Sequence, residues 1–328
     1  MNGFKTWLND IVLQAFMPEN ILNTFGLSAF LHPAKRIYYP YLISALILAI
    51  AYFFYTKKRS GLRKTNFISY LFPKKIWGHK SALIDYKIFI LNNLIKAFLI
   101  IPFVITNLAF AYIVIGWWEN IIGIQDNLHW SKLNIGLTYT LVFMLVSDFS
   151  RFLLHFSLHK VSFLWQFHKV HHSAEVLTPM TLYRTHPIEV YLYKLRSILV
   201  FGLVAGSFSF WFRTSLDPVT ILHIHIDVFL FNLIGSNLRH SHIPISFGRT
   251  LEHIFISPAQ HQIHHSKNPK DFNKNLGSLF AIWDWLFKTL SISHSDQKLK
   301  YGIEEKEQND YTTLWQNIWM PFKKLVNK

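Results

Sequence analysis

Eight histidines fall into three short patterns whose spacing suits metal binding. In "DFSRFLLHFSLHK", residues 148–160, His155 and His159 stand four apart, so on a helix both imidazoles share a face and can reach one ion. "QFHKVHHS" at 166–173 sets His168, His171 and His172 at i, i+3 and i+4, and "AQHQIHHS" at 259–266 repeats that spacing with His261, His264 and His265. Asp148 precedes His155 by two turns on the same face, where it could accept the distal N–H of a ligating imidazole and fix its tautomer. One ion in a structural or catalytic zinc site takes three or four protein ligands, so eight imidazoles suit two adjacent metals. Imidazole accepts Fe, Cu, Zn or Ni, and the spacing does not name the element. A lone histidine at a membrane boundary is more often a hydrogen-bonded structural residue, and His32, His79, His129 and His294 belong to that class.

The elements that must position these residues are apolar. The chain of 328 residues is 51% hydrophobic and 17% aromatic, which places it with integral membrane proteins. Its net charge of +15 sits in short Lys/Arg runs beside apolar stretches, as topology signals do, so a nucleic-acid partner is not expected. With no cysteine, disulfides and thiolate metal sites are excluded and any metal must be held by His and carboxylate. Five stretches come near the ~20 apolar residues that a span needs: 37–56, a part of 88–116, 133–154, 190–212 and 217–235. The expected fold is all-α and membrane-integral, with about five transmembrane helices (four to six) and a cytoplasmic histidine-rich helical cap. Three regions follow: 1–132 with two spans, 133–290 with three spans and the histidines, and a cytoplasmic tail at 291–328.

Residues 1–36 show no pattern of a removable signal peptide, and "WLNDIVLQAFMPENILNTF" suits the membrane surface. Segment 57–87 is rich in Lys and Arg while 117–132 is not, which puts the former in the cytoplasm and both His-x-x-His-His boxes on that side. Trp117, Trp118 and Trp211 read as interfacial anchors. His223 and His225 fall inside the fifth stretch and, two apart, point to different helix faces. At most one can face the bundle, to line a substrate tunnel or to bind Asp227.

The run "DFSRFLLHFSLHKVSFLWQFHKVHHSAE", with "TLYRTHPIE", "NLRHSH", "SPAQHQIHHS" and "NLGSLFAIWDWLFKT", resembles the fatty acid hydroxylase superfamily, also called the sterol desaturase family. The resemblance covers about residues 140–290 and extends loosely to "YGIEE" at 301–305. It implies a membrane-embedded enzyme with two iron ions that uses O2 to hydroxylate or desaturate a lipid. It makes His155, His159, His168, His171, His172, His261, His264 and His265 iron ligands and adds His240, with His242 as the competing choice. In "RTHPIE", His186 and Glu189 are either near the metals or, with Pro187, part of a structural turn. No flavin or nicotinamide fingerprint is present, so electrons are expected from a separate reductase, ferredoxin or cytochrome. The resemblance places the chain in the inner membrane of a bacterium or the endoplasmic reticulum of a eukaryote.

Two other classes compete. A metal-ion transporter would place ionisable residues along the spans near the midplane, and a b-type haem protein would need one His on each of two helices. Neither uses the whole histidine set.

Overall fold

A computed structural model describes residues 17–60, 66–100, 105–126, 128–214, 216–221, 224–294 and 299–326. The main helices are α1 (Tyr39–Ser60), α2 (Lys80–Ile95), α3 (Asn107–Ile122), α4 (Lys132–Lys160), α5 (Ser162–His172), α6 (Pro187–Phe212), α7 (Ile226–Leu233), α8 (Pro258–His264) and α9 (Leu314–Val326). The fold is all-α in character. Its only ladder among the described residues joins two-residue strands, β1 (Thr220–Ile221) and β2 (Ile224–His225), antiparallel with Thr220 opposite His225.

Local chemistry sets the helix starts. Ser131 accepts a hydrogen bond from Asn134 N at 3.2 Å to open α4, and Thr106 accepts from Ala109 N at 3.0 Å to open α3. His186 caps α6 through Ile188 N at 3.1 Å, with Pro187 in the first turn. Ser257 and Gln260 form a reciprocal capping box at α8, followed by Pro258.

Among the described residues three helices are long and apolar enough to cross a membrane: residues Tyr39–Lys58 of α1, α4 and α6. The other two predicted spans are not continuous helices. Stretch 88–116 is divided between α2 and α3, of 16 residues each, with a π-helical turn at Lys96–Ile100. Stretch 217–235 is the β1–β2 hairpin followed by the eight-residue α7. Val219, Thr220, Ile221 and Ile224 are β-branched and favour extended backbone there.

Both interrupted stretches nonetheless run between the two ends of the bundle. At one end Leu128 N donates to Trp211 O (3.1 Å) and Trp118 Nε1 to Ser207 Oγ (2.9 Å), and Gly136 abuts the carbonyl of Asp217. At the other end Asn92 Nδ2 donates to Thr185 O (2.8 Å), and Asp85 pairs with Arg184 (3.1 Å). Val219 N reaches Thr140 Oγ1 (2.9 Å) in the first third of α4. Irregular backbone at such depth is tolerated where protein covers it.

The 29 residues of α4 rise about 44 Å, against a hydrocarbon core of about 30 Å. Its last turns, carrying His155 and His159, can therefore stand beyond the apolar layer. The C-terminal residues close over this end: α9 packs on α5, Gln308 Nε2 donates to Ser173 O (2.9 Å), and Lys169 pairs with Glu307 (2.8 Å).

Candidate metal centre

Nine imidazoles converge in two groups. His155, His159, His168, His172 and His264 form one; His171, His240, His261 and His265 form the other. Within each group the candidate ligand atoms lie within 4.8 Å of one another. The two His-x-x-His-His boxes exchange members. The box on α5 gives its i and i+4 pair to the first group and its i+3 histidine to the second. The box on α8 does the reverse, because the two helices meet at the same place from different sides. α4 completes the first group with His155 and His159, and the 3-10 turn Ser236–His240 completes the second. Part of the spacing argument is thereby refined, since His171 and His264 leave their own boxes.

Donor geometry fits metal binding. Two nitrogens sharing an ion at about 2.1 Å stand roughly 3.0–3.4 Å apart in octahedral or tetrahedral arrangements. The Nε2 atoms of His155 and His168 are 3.1 Å apart, those of His240 and His171 3.3 Å, and those of His240 with His261 and with His265 3.1 Å. Nε2 of His159, His172 and His264 is buried without a hydrogen-bond partner. Such orphaned lone pairs in a dry site are costly unless an ion receives them. On the distal side, Nδ1 of His155 donates to Leu276 O (2.8 Å), that of His171 to Arg184 O (3.2 Å) and that of His264 to Lys274 O (3.0 Å), leaving Nε2 free as a ligand.

Electrostatics hold these rings neutral. Burial, then the charge of neighbouring His155, pulls His171 down to about 3. Burial likewise carries His168, His172, His240, His261, His264 and His265 well below the usual histidine range, with neighbouring imidazoles adding to the effect. Neutral imidazole is the form that ligates.

The remaining candidates occupy different places. Glu189 Oε1 lies 3.1 Å from His168 Nδ1, at ion-pair distance without hydrogen-bond alignment. Asp148 does not serve His155. Its carboxylate is filled by Leu279 N (2.8 Å), Phe280 N (3.0 Å) and Trp283 Nε1 (2.9 Å). His186 caps α6 and bonds Ile318 O (3.1 Å), and His242 bonds Tyr70 O (2.7 Å), so neither joins a group. His225 packs on Phe143 at 4.6 Å, ring centre to ring centre, away from both groups. His223 lies outside the described residues.

Sequence spacing missed the support. Residues 273–280, "NKNLGSLF", form a loop whose Lys274 and Leu276 carbonyls hold His264 and His155. Asn273 and Asn275 take positive φ (57° and 54°), which Asn tolerates better than most residues. Asp284 receives Leu276 N and Gly277 N, both at 2.7 Å, and Asp148 receives the next two amides but one. Arg184, fully buried, is fixed by Asp85, Ser173 and Asn317, so its carbonyl can face His171. The signal available was the Asn-rich, Gly-containing segment after the last box.

A cavity of about 390 Å³ opens on both groups, touching His155, His168, His171, His240 and His261. A second, of about 230 Å³, reaches His159, His172 and His264 from the side of Lys169 and Glu307.

A family model described as fatty acid hydroxylase matches residues 140–289, a segment holding all nine imidazoles. An alkylglycerol monooxygenase from Danio rerio is 30% identical over 211 residues, 60% of this chain and 42% of its own length. The alkylglycerol monooxygenase of Homo sapiens is 28% identical over 157 residues, 48% of this chain and 31% of its own. An ornithine lipid hydroxylase from Rhizobium tropici is 27% identical over 168 residues, 50% of this chain and 45% of its own. The chain thus spans less than half the length of these relatives. No solved structure matches. Residues 140–289, just under half of the chain, thus match the fatty acid hydroxylase family, and the chain's likeness to these relatives supports that superfamily.

Proposed function

We propose that this protein is a membrane-bound non-haem di-iron monooxygenase that hydroxylates a C–H bond of a lipid. The observation that carries the reading is the pair of imidazole groups, five and four, opening on one cavity. His155, His159, His168, His172 and His264 hold one iron; His171, His240, His261 and His265 hold the other. When bound, iron supplies activation of O2 and the oxidising power to break the C–H bond. The chain's own residues do the rest. The carbonyls of Leu276, Lys274 and Arg184 fix ring orientation, Glu189 stands beside His168, and the burial of the site keeps water from competing for the oxidant.

The balanced reaction consumes the lipid C–H, one O2, two electrons and two protons, and yields an alcohol and water. The electrons come from a separate reductase, ferredoxin or cytochrome. The Lys/Arg-rich segment 57–87 supports a cytoplasmic site. Relatives named as a monooxygenase and a hydroxylase favour hydroxylation over desaturation.

The test is turnover in membranes under isotopically labelled O2 with reductant and an electron-donor system. One labelled hydroxyl oxygen in a lipid product is the expected result. Label in water alone, beside a new double bond, makes the protein a desaturase. No O2 consumption by iron-loaded protein with any lipid class overturns the enzyme reading in favour of a transporter.

A further inference from the structure

The wall of the larger cavity is unexpectedly basic for a site that handles hydrocarbon. Arg36, Arg151 and Arg239 all line it beside the histidines. Among the described residues none of the three makes an ion pair with a carboxylate. Arg36 and Arg239 bracket one phenyl ring, their guanidinium carbons 5.0 and 4.4 Å from the centre of Phe231. Arg239 is 4% exposed, and it is braced by the carbonyls of Ser278 and Ile256. Burial and the charge of Arg151 lower Arg36 to about 10, so these cations feel one another.

None of the acids on the same wall pairs directly with them among the described residues. Asp148 is occupied by three N–H donors and Glu189 faces His168. Asp227 is the carboxylate that remains, and it forms no ion pair among the described residues. Three guanidiniums and Lys35 line the cavity against three carboxylates, none of them ion-paired with these arginines among the described residues, and guanidinium forks left open in this way suit an oxyanion.

We propose that Arg36, Arg151 and Arg239 bind the anionic head group, phosphate or carboxylate, of the lipid substrate, and that the carbon oxidised lies close to that head group. The inference rests on the lipid oxygenase reading for its second half alone. Because the arginines and the imidazoles share one cavity of about 390 Å³, an oxyanion held there leaves the first few carbons, rather than the distal chain, beside the metals.

Full-length protein in a neutral maltoside detergent is titrated with hexadecyl phosphate, hexadecanoate, hexadecan-1-ol and inorganic phosphate, and binding is read by calorimetry. One of the two anionic amphiphiles is expected to bind at least about 10-fold tighter than the alcohol, and the tighter one identifies the head group. Inorganic phosphate is expected to bind far more weakly than either. R36Q and R151Q are each expected to remove most of the preference, while R151K keeps part of it. Equal binding of alcohol and anions by the wild type overturns the proposal without reference to any variant, as does full preference in folded R36Q and R151Q, or inorganic phosphate binding as tightly as the amphiphiles. In turnover of the preferred amphiphile, hydroxylation is expected within the first few carbons, and a hydroxyl on the distal chain overturns the second half. A retained binding preference with no oxidation would leave the anion site standing and overturn the oxygenase reading.

Discussion

His264 and His171 sit in groups opposite to those of their nearest box neighbours, and this makes single substitutions informative. H264A and H168A are expected to weaken the same metal, and H171A the other, each taking bound metal from about two ions per chain toward about one. Metal analysis with X-ray absorption on the three variants checks this; identical spectra for H264A and H171A would remove the division. E189Q keeps the shape but not the charge opposite His168 and should cost about 10- to 100-fold in metal affinity, measured by chelator competition. The spacing of the boxes made eight of the nine converging imidazoles legible in the sequence, and the family resemblance added His240. Which ion each ring serves was not, because it depends on how α5 and α8 meet. Asp148 was misplaced for a related reason: helix periodicity fixed its face, while its partners came from a loop 131 residues away.

The same rings set a pH dependence. His171 has an ordinary value of 6.5 and a folded value of about 3. Between the two, the unfolded chain binds a proton that the folded chain does not. Stability therefore falls as pH drops below about 6.5, by about 1.4 kcal/mol per unit for this residue. Six other histidines of the two groups, all outside the spans, are lowered too and act in the same direction. Metal-free protein should show a falling melting temperature from pH 7 to pH 5; a flat or rising profile would mean that the rings are wet.

At the level of elements, α3 meets α6 at two glycines. A side chain at Gly206 would stand 2.7 Å from Ala111 O and 2.8 Å from Val114 Cβ. G206V is thus expected to push the helices apart and to destabilise by about 1–3 kcal/mol, read from detergent-induced unfolding. R184M strikes elsewhere: it leaves Asp85 buried without its partner, at a cost of about 3–5 kcal/mol. It also loosens the segment whose carbonyl holds His171. The apolar stretches were visible in sequence as hydropathy. Their interruption was less so, since 88–116 is long enough to span, and only partners such as Arg184 for Asp85 and Thr185 for Asn92 reveal that α2 faces protein.

For the whole molecule, three helices among the described residues are long and apolar enough to cross a membrane, and two further apolar stretches are interrupted. Its lack of cysteine allows a direct check of sidedness. Cysteines replacing Lys58 and Lys270, both exposed, should be labelled from one face of the membrane, and one replacing Asp126 from the other. Labelling of positions 58 and 270 from opposite faces would break the proposed orientation. The exchange of histidines between α5 and α8 also has a consequence for biosynthesis. His261 is translated about 90 residues after His172, so at about 5–20 residues per second roughly 5–18 s elapse between the two boxes. Throughout that interval the first group lacks His264, and the second lacks His261 and His265. Neither imidazole group is complete before the last box is made, so under the proposed function both ions would be loaded together, in a single late act of maturation.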